Sequence, residues 1–210
     1  GMPLRLDPNA AWRPETAARV ASALEGVLDY LEDPVAGVEG MAAMRRETSL
    51  PLATNMCVVS FAGVAPAVSA GAVDIVLADP HSWGGLTAVT RLGTVAQTFG
   101  LGLSMHSNSH LGISLAAMVH AAAATPALGY ACDTHWPWKE PAADVVDTSA
   151  LPFADGAIRV PDAPGLGVVL DDEALGRMHD DWLSCGYRVR DDVAYAREID
   201  PSRAGSIPRW

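Results

Sequence analysis

Leu103-Ser104-Met105-His106-Ser107-Asn108-Ser109-His110 begins as an apolar alternating run and closes in small polar residues and two histidines. It passes directly into an Ala-rich helical pattern over residues 111–124. Together they read as a strand that delivers chemistry at its C-terminal end, followed by a returning helix. One unit upstream, Ile75-Val76-Leu77-Ala78-Asp79-Pro80-His81 has the same build. If the two strands are parallel neighbours, Asp79 and His106 meet at their ends. Such a pair orients the imidazole and raises its basicity.

The pattern extends in both directions. Short apolar runs end in Asp7, Glu32 and Asn55 before that point, and residues 127–136 form a sixth run ending at His135. Helical patterns separate the runs: Pro14 suits a first turn, and Gly100 a stop after residues 84–99. The polar strand-end residues recur every 23 to 29 positions, about one βα unit, although the residues differ and no sequence repeat exists. Strands and helices alternating at this interval predict a parallel sheet with right-handed crossovers. The expected fold is α/β, a (β/α) TIM-type barrel with about six of its eight units, because chemistry sits at every strand end. An open doubly wound sheet would instead concentrate ligands at one switch point. Beyond residue 150 the pattern changes. A β ribbon is expected around the Pro/Gly run between Ile158 and Asp171, then a short amphipathic helix over residues 172–183 and a polar irregular tail. The chain thus divides into a partial barrel, residues 1–150, and a C-terminal portion, residues 151–210, that packs on it.

Composition narrows the function. Half of the 210 residues are apolar, enough for a sizeable core, and the formal charge is −11. That charge argues against nucleic acid and anionic membrane surfaces as partners. No apolar run has the length of a membrane span. Cys57, Cys132 and Cys185 are too widely spaced for a metal knuckle and read as reduced cysteines of a cytoplasmic protein.

Asp7, Glu32 and Asn55 offer three oxygen ligands on consecutive strands, two of them anionic, a hard set suited to Mg2+. Taken singly, Asp7-Pro8, Asp33-Pro34 and Asp79-Pro80 also read as turn-initiating caps. His106 reads either as a base or as a buried hydrogen-bonded histidine. His135 reads as a donor to a substrate oxygen or as the cap of the following loop. His81 and His110 fall just past strand ends, as supporting or surface residues.

Ala78-Asp79-Pro80-His81, the run from His106 to Ser114-Leu115, Asp133-Thr134-His135-Trp136, and Val160-Pro161 to Pro164-Gly165-Leu166-Gly167 together resemble the glucarate dehydratase group of the enolase superfamily. The resemblance spans residues 4–192, and its motif order and spacing are specific. It implies Mg2+-assisted abstraction of the proton alpha to a carboxylate, then elimination of water from an acid sugar. On this resemblance Asp7, Glu32 and Asn55 are the metal ligands, and His106 backed by Asp79 is the general base. Asn108, His135 and Arg190 are the substrate contacts.

The sequence departs from that family at its beginning. The family places a capping region and two barrel strands, the second with a Lys-x-Lys base motif, before the first metal ligand. Here Asp7 is the seventh residue, and the only lysine is Lys139, in a loop. Two expectations follow. One is an acid-sugar dehydratase that works with a chain supplying the missing N-terminal units. The other is a non-catalytic, truncated or degenerate relative that oligomerises and retains metal binding. A homodimer and little turnover by this chain alone are expected.

Overall fold

The computed structural model describes residues 3–107, 110–189 and 191–201. Five short strands form one parallel sheet in sequence order: β1 (Arg5–Leu6), β2 (Tyr30–Glu32), β3 (Leu52–Thr54), β4 (Ile75–Ala78) and β5 (Gly102–Met105). Helices α1 (Pro14–Ala23), α2 (Gly37–Met44), α3 (Phe61–Ser69), α4 (Pro80–Trp83), α5 (Leu86–Phe99) and α6 (Gly112–Ala123) occupy the connections. Strand order equal to chain order, with a helix in every crossover, is barrel winding rather than the reversing order of a doubly wound sheet. Pro14 stands at the start of α1, and Gly100 closes α5 with φ of 68°. That left-handed conformation costs glycine little.

The sheet has two distinct apolar faces, set by the period-2 alternation of side chains. Leu31, Leu52, Val76, Ala78, Leu103 and Met105 pack against the helices, with Ala17, Met41, Val64, Leu92 and Leu115. Tyr30, Ala53, Ile75 and Leu77 form a smaller cluster on the other face, joined by Tyr130. The rings of Tyr30 and Tyr130 meet edge to face with centroids 5.6 Å apart. Register carries the alternation across the sheet: Glu32 pairs with Ala53, Ala53 with Ile75, and Ala78 with Met105. Arg5 and Glu32 within their strands, and Asp7, Asn55, Asp79 and His106 just past theirs, therefore belong to the inner set.

Three expectations are corrected. Residues 127–136 do not form a regular sixth strand: a single parallel bridge joins Leu103 to Leu128. Beyond it, Gly129 N–H and Tyr130 N–H both reach the carbonyl of Leu103, and Ser104 Oγ donates to Ala131 O at 2.8 Å. A side-chain hydroxyl thus takes the place of a ladder bond, and the ladder breaks. The ribbon lies earlier than expected, as β6 (Phe153–Ala154) and β7 (Ala157–Ile158). Its turn is Asp155-Gly156, both with positive φ, the pairing favoured in tight hairpins. Pro161 and Pro164 lack the N–H groups a ribbon needs at the expected place. After α7 (Asp172–Ser184), α8 (Asp192–Ile199) replaces part of the irregular tail. Asp191 starts it by accepting the Ala194 N–H, and Tyr187 donates to Glu198 at 2.7 Å. Among the described residues no helix is long and apolar enough to cross a membrane.

A buried carboxylate ties the loop after residue 134 to the start of α6. Asp144 accepts the Gly112 N–H at the start of α6, at 2.9 Å, and Lys139 Nζ at 2.6 Å. A negative charge at a helix N-terminus complements the backbone dipole. A Cβ on Gly112 would run into Val146 and Asp144. Gly112→Ala is therefore expected to destabilise the fold by about 1–3 kcal/mol, read as a lower midpoint in urea unfolding with an unchanged slope.

Candidate active site

The inner face carries its polar residues at the C-terminal end of the sheet. Glu32 closes β2 and is 1% exposed. Its Oε1 accepts Asn55 Nδ2 at 2.6 Å, which joins the ends of β2 and β3 through side chains. Arg5 Nη1 lies 3.6 Å from Glu32 Oε2, too long for a hydrogen bond but close enough for charge attraction. The same guanidinium donates to Tyr30 Oη at 3.0 Å and pairs with Asp133 at 2.8 Å. Arg5 on β1 and Asp133 beyond β5 thus bridge the open side of the sheet.

Asp33 has a structural task that its position before proline conceals. Its buried carboxylate accepts Thr54 Oγ1 at 2.6 Å and the Asn55 N–H at 2.9 Å. Its φ of 36° is left-handed, a strained conformation for a residue with a Cβ. These bonds hold the β2 turn and fix where Asn55 leaves β3. Burial pushes the Asp33 carboxyl up to about 6, against the pull of those same bonds.

The residues around Glu32 suit a hard divalent cation. Glu32 Oε2 is buried and has no hydrogen-bond partner among the described residues. Burial first, then the neighbouring Asp7 carboxylate, push Glu32 up to about 7. Asp7 is also raised, chiefly by burial, although it accepts the Asn9 N–H at 2.7 Å. Two desolvated carboxylates that repel one another are relieved by a cation, and their oxygens match Mg2+. Asn55 presents its amide nitrogen to Glu32; as a ligand it would offer the oxygen, which a half-turn about one bond exchanges for the nitrogen. Among the described residues no group of three His, Cys, Asp or Glu side chains is arranged to hold a metal. Two carboxylates and an amide leave the remaining positions to water or substrate oxygens, the arrangement Mg2+ prefers.

Asp79 and His106 follow the paired residues Ala78 and Met105, and His106 Nδ1 lies 3.5 Å from Asp79 Oδ2. Burial alone would raise Asp79, but hydrogen bonds from His106 and from the His81 backbone and ring outweigh it and hold the carboxyl at about 2. Burial disfavours the charged form of His106, yet the Asp79 bond and the charges of Asp133 and Glu32 prevail and raise its pKa. His81 is bound more tightly than His106: its Nδ1 stands 2.6 Å from Asp79 Oδ1, and its Nε2 2.9 Å from Ser114 Oγ. His110 lies behind, with Nε2 buried and unpartnered among the described residues. Burial is the main reason its pKa falls to about 4.

His135 is exposed at the start of a short 3-10 turn, Trp136–Trp138, with its ring 6.2 Å from that of Trp138. Asp133, two residues earlier, faces the inner residues and pairs with Arg5. Asn108 and Arg190 lie outside the described residues. Sequence reasoning missed Arg5 and Asp133 because neither closes an apolar run. The signal was available: two residues before Asp7 on a strand is the same face. Between β1 and the segment after β5 lies a cleft of about 740 Å³, lined by Arg5, Asp29, Tyr30, Tyr130, Asp133 and Trp138 among others.

Residues 1–174 match the family model described as "Enolase C-terminal domain-like". A probable glucarate dehydratase from Streptomyces coelicolor is 53% identical over 213 aligned positions, covering all of this chain and 49% of that protein. An enolase from Gibberella zeae, crystallised with magnesium, formate and sulfate, superposes with a TM-score of 0.93 at 55% identity. The alignment covers 100% of this chain and 49% of that one. An enolase from Pseudomonas fluorescens with bound magnesium, potassium and tartrate gives 0.92 at 51% identity, covering 100% of this chain and 49% of that one. The chain thus spans about half the length of these relatives. Its parallel βα winding, its inward-facing strand-end residues and its match over most of its length agree: the chain belongs to the enolase C-terminal domain-like family of the enolase superfamily.

Proposed function

We propose that this chain carries the metal-binding and base-bearing half of an acid-sugar dehydratase site of the glucarate class. The observation that supports this most directly is the convergence on one sheet face of Glu32, with its unpartnered buried oxygen, and the Asp79–His106 pair. Asp7, Glu32 and Asn55 would hold Mg2+. When bound, the cation supplies positive charge beside a substrate carboxylate, where negative charge develops as the alpha proton leaves. His106 is the base. Asp79, an acceptor at any working pH, directs the His106 Nδ1–H toward itself and leaves Nε2 to take the proton. Asp133 and Glu32 add charge that favours the protonated product of that step. Asn108, His135 and Arg190 are assigned to the substrate, His135 from an exposed position on the loop after the sixth segment.

The test is a titration of the chain with Mg2+, followed by incubation with glucarate-class acids in D2O. Saturable Mg2+ binding and deuterium uptake at the alpha carbon support the reading. Binding of neither ion nor acid would sink it.

The cleft between β1 and residues 129–134 supports a second reading, in which the chain is a non-catalytic relative that oligomerises. Among the described residues β1 is paired there on one edge only, with β2. Unsatisfied buried backbone groups cost about 1–3 kcal/mol each. We infer that this edge is covered in solution by a second copy of the chain. Sedimentation velocity is expected to show a dimer over a broad concentration range. A monomer that resists both dilution and concentration overturns the dimer.

A further inference from the structure

Asp79 serves two imidazoles unequally. Its Oδ1 accepts two donors from one residue, the His81 backbone N–H at 2.8 Å and His81 Nδ1 at 2.6 Å. Its Oδ2 faces His106 Nδ1 at 3.5 Å. An ionised carboxylate only accepts hydrogen bonds, so His81 Nδ1 carries a hydrogen. In neutral His81 the Nε2 lone pair must then accept, and Ser114 Oγ, 2.9 Å away at the start of α6, is placed to donate. The chain Ser114–His81–Asp79 is a relay in which every polar atom has one consistent role. It reaches its end on the carboxylate that faces His106. Nothing in the reaction proposed above uses His81 or Ser114, and the His81 side chain is more than half exposed.

We propose that His81, fixed by Ser114, is a positioning residue for His106: it anchors one oxygen of Asp79 and so keeps the other aimed at His106 Nδ1. The contact to His106 is long, which makes it sensitive to rotation of the carboxylate. Without the His81 ring, the Asp79 carboxylate keeps among the described residues the His81 backbone N–H on Oδ1 and only the long contact to His106 on Oδ2, so it can turn. The proton on His106 is then no longer confined to Nδ1, because the nitrogen that carries it is set by the bond the ring makes. The other groups that act on His106 do not supply this constraint. Asp133, Glu32 and Asp7 influence it through charge, from the segment after β5, from β2 and from β1. On the other side His81 faces His110, with ring centroids 6.4 Å apart, which makes no bond to it.

This inference takes the role of His106 from the reading above, but its test does not depend on turnover. The full chain is labelled with 15N-histidine and its imidazole nitrogens are read by NMR at a pH where the rings are neutral. The expected wild-type pattern is Nδ1–H for both His81 and His106. In His81→Phe the Nε2–H fraction of His106 is expected to rise about fivefold, with the thermal unfolding transition retained. In His81→Asn, whose amide restores a donor to Asp79, the wild-type His106 pattern should return. Ser114→Ala is the second variant, expected to loosen the His81 pattern and shift His106 in the same direction by less. An unchanged His106 tautomer in folded His81→Phe or Ser114→Ala overturns the proposal, as does Nε2–H on wild-type His81. If the tautomers behave as expected but the chain neither binds Mg2+ nor exchanges an alpha proton, the dehydratase reading falls and the relay stands.

Discussion

His106→Gln is expected to slow alpha-proton exchange by about 10²–10⁴-fold, the usual contribution of a positioned base, while changing Mg2+ affinity less than twofold. Gln keeps the approximate volume and polarity of His106 but has no lone pair basic enough to take a carbon-bound proton. The residues that suit the cation sit at the ends of β1, β2 and β3, so the ion site should survive. Asp79→Asn should bring a loss of similar size for a different reason. An amide can donate to His106 Nδ1, which would move the ring proton to Nε2 and block the basic position. The pH profile fixes the sign. A base acts when unprotonated, so exchange rises with pH as His106 loses its proton. Burial works to lower the His106 pKa, but the Asp79 bond and the charges of Asp133 and Glu32 raise it above the ordinary 6.5. The rising limb should therefore sit above that value in the wild type and vanish in His106→Gln. Isothermal titration with Mg2+ and deuterium uptake by NMR separate binding from chemistry. Exchange undiminished in His106→Gln removes His106 as the base.

Much of this architecture was legible because two periods coincide in the sequence. Apolar runs of strand length recur at the βα interval, and each ends in a polar residue on the same face. Alternation alone then places Asp7, Glu32, Asn55, Asp79 and His106 on the inner side of a parallel sheet. What was not legible depended on partners far apart in sequence. Residues 127–136 have the composition of a strand, yet the hydroxyl of Ser104 and the doubled use of the Leu103 carbonyl break the ladder. No local pattern encodes that competition. Arg5 looks like an ordinary polar residue of β1; its importance appears only when Asp133 comes round to it. The hairpin at Asp155-Gly156 was announced by its dipeptide and overshadowed by the longer Pro/Gly run. His81 reads as a surface histidine until Asp79 and Ser114 are seen on either side of its ring.

Glu32 offers the largest effect on stability, with opposite signs in the absence and presence of the ion. Burial, then the charge of Asp7, lift its pKa from 4.5 to about 7 in the metal-free fold. A raised carboxyl pKa means that the folded state holds the proton more tightly than the unfolded chain does. Glu32 therefore costs no stability below pH 4.5, costs progressively more as pH rises to 7, and costs its full amount above that. A shift of this size corresponds to roughly 3 kcal/mol. Glu32→Gln removes the ionisation but keeps an acceptor for Asn55 Nδ2, while its new amide N–H faces the side of Arg5. Metal-free Glu32→Gln should thus unfold at a higher denaturant concentration than the wild type at pH 8, by about 2–3 kcal/mol, and at nearly the same concentration near pH 4. Mg2+ should reverse the order. An ion bound only by the folded state at 1,000 times its Kd adds about 4.1 kcal/mol, a gain open to the wild type and closed to Glu32→Gln. Asp7→Asn should lose the same gain, since it removes the other carboxylate of the set. Urea unfolding of the three proteins at two pH values, with and without Mg2+, decides it. A wild type whose midpoint ignores Mg2+ at pH 8 would remove Asp7, Glu32 and Asn55 as a metal site. A Glu32→Gln that is less stable than the metal-free wild type at pH 8 would show that the attraction to Arg5, rather than burial and the repulsion with Asp7, governs this corner of the sheet.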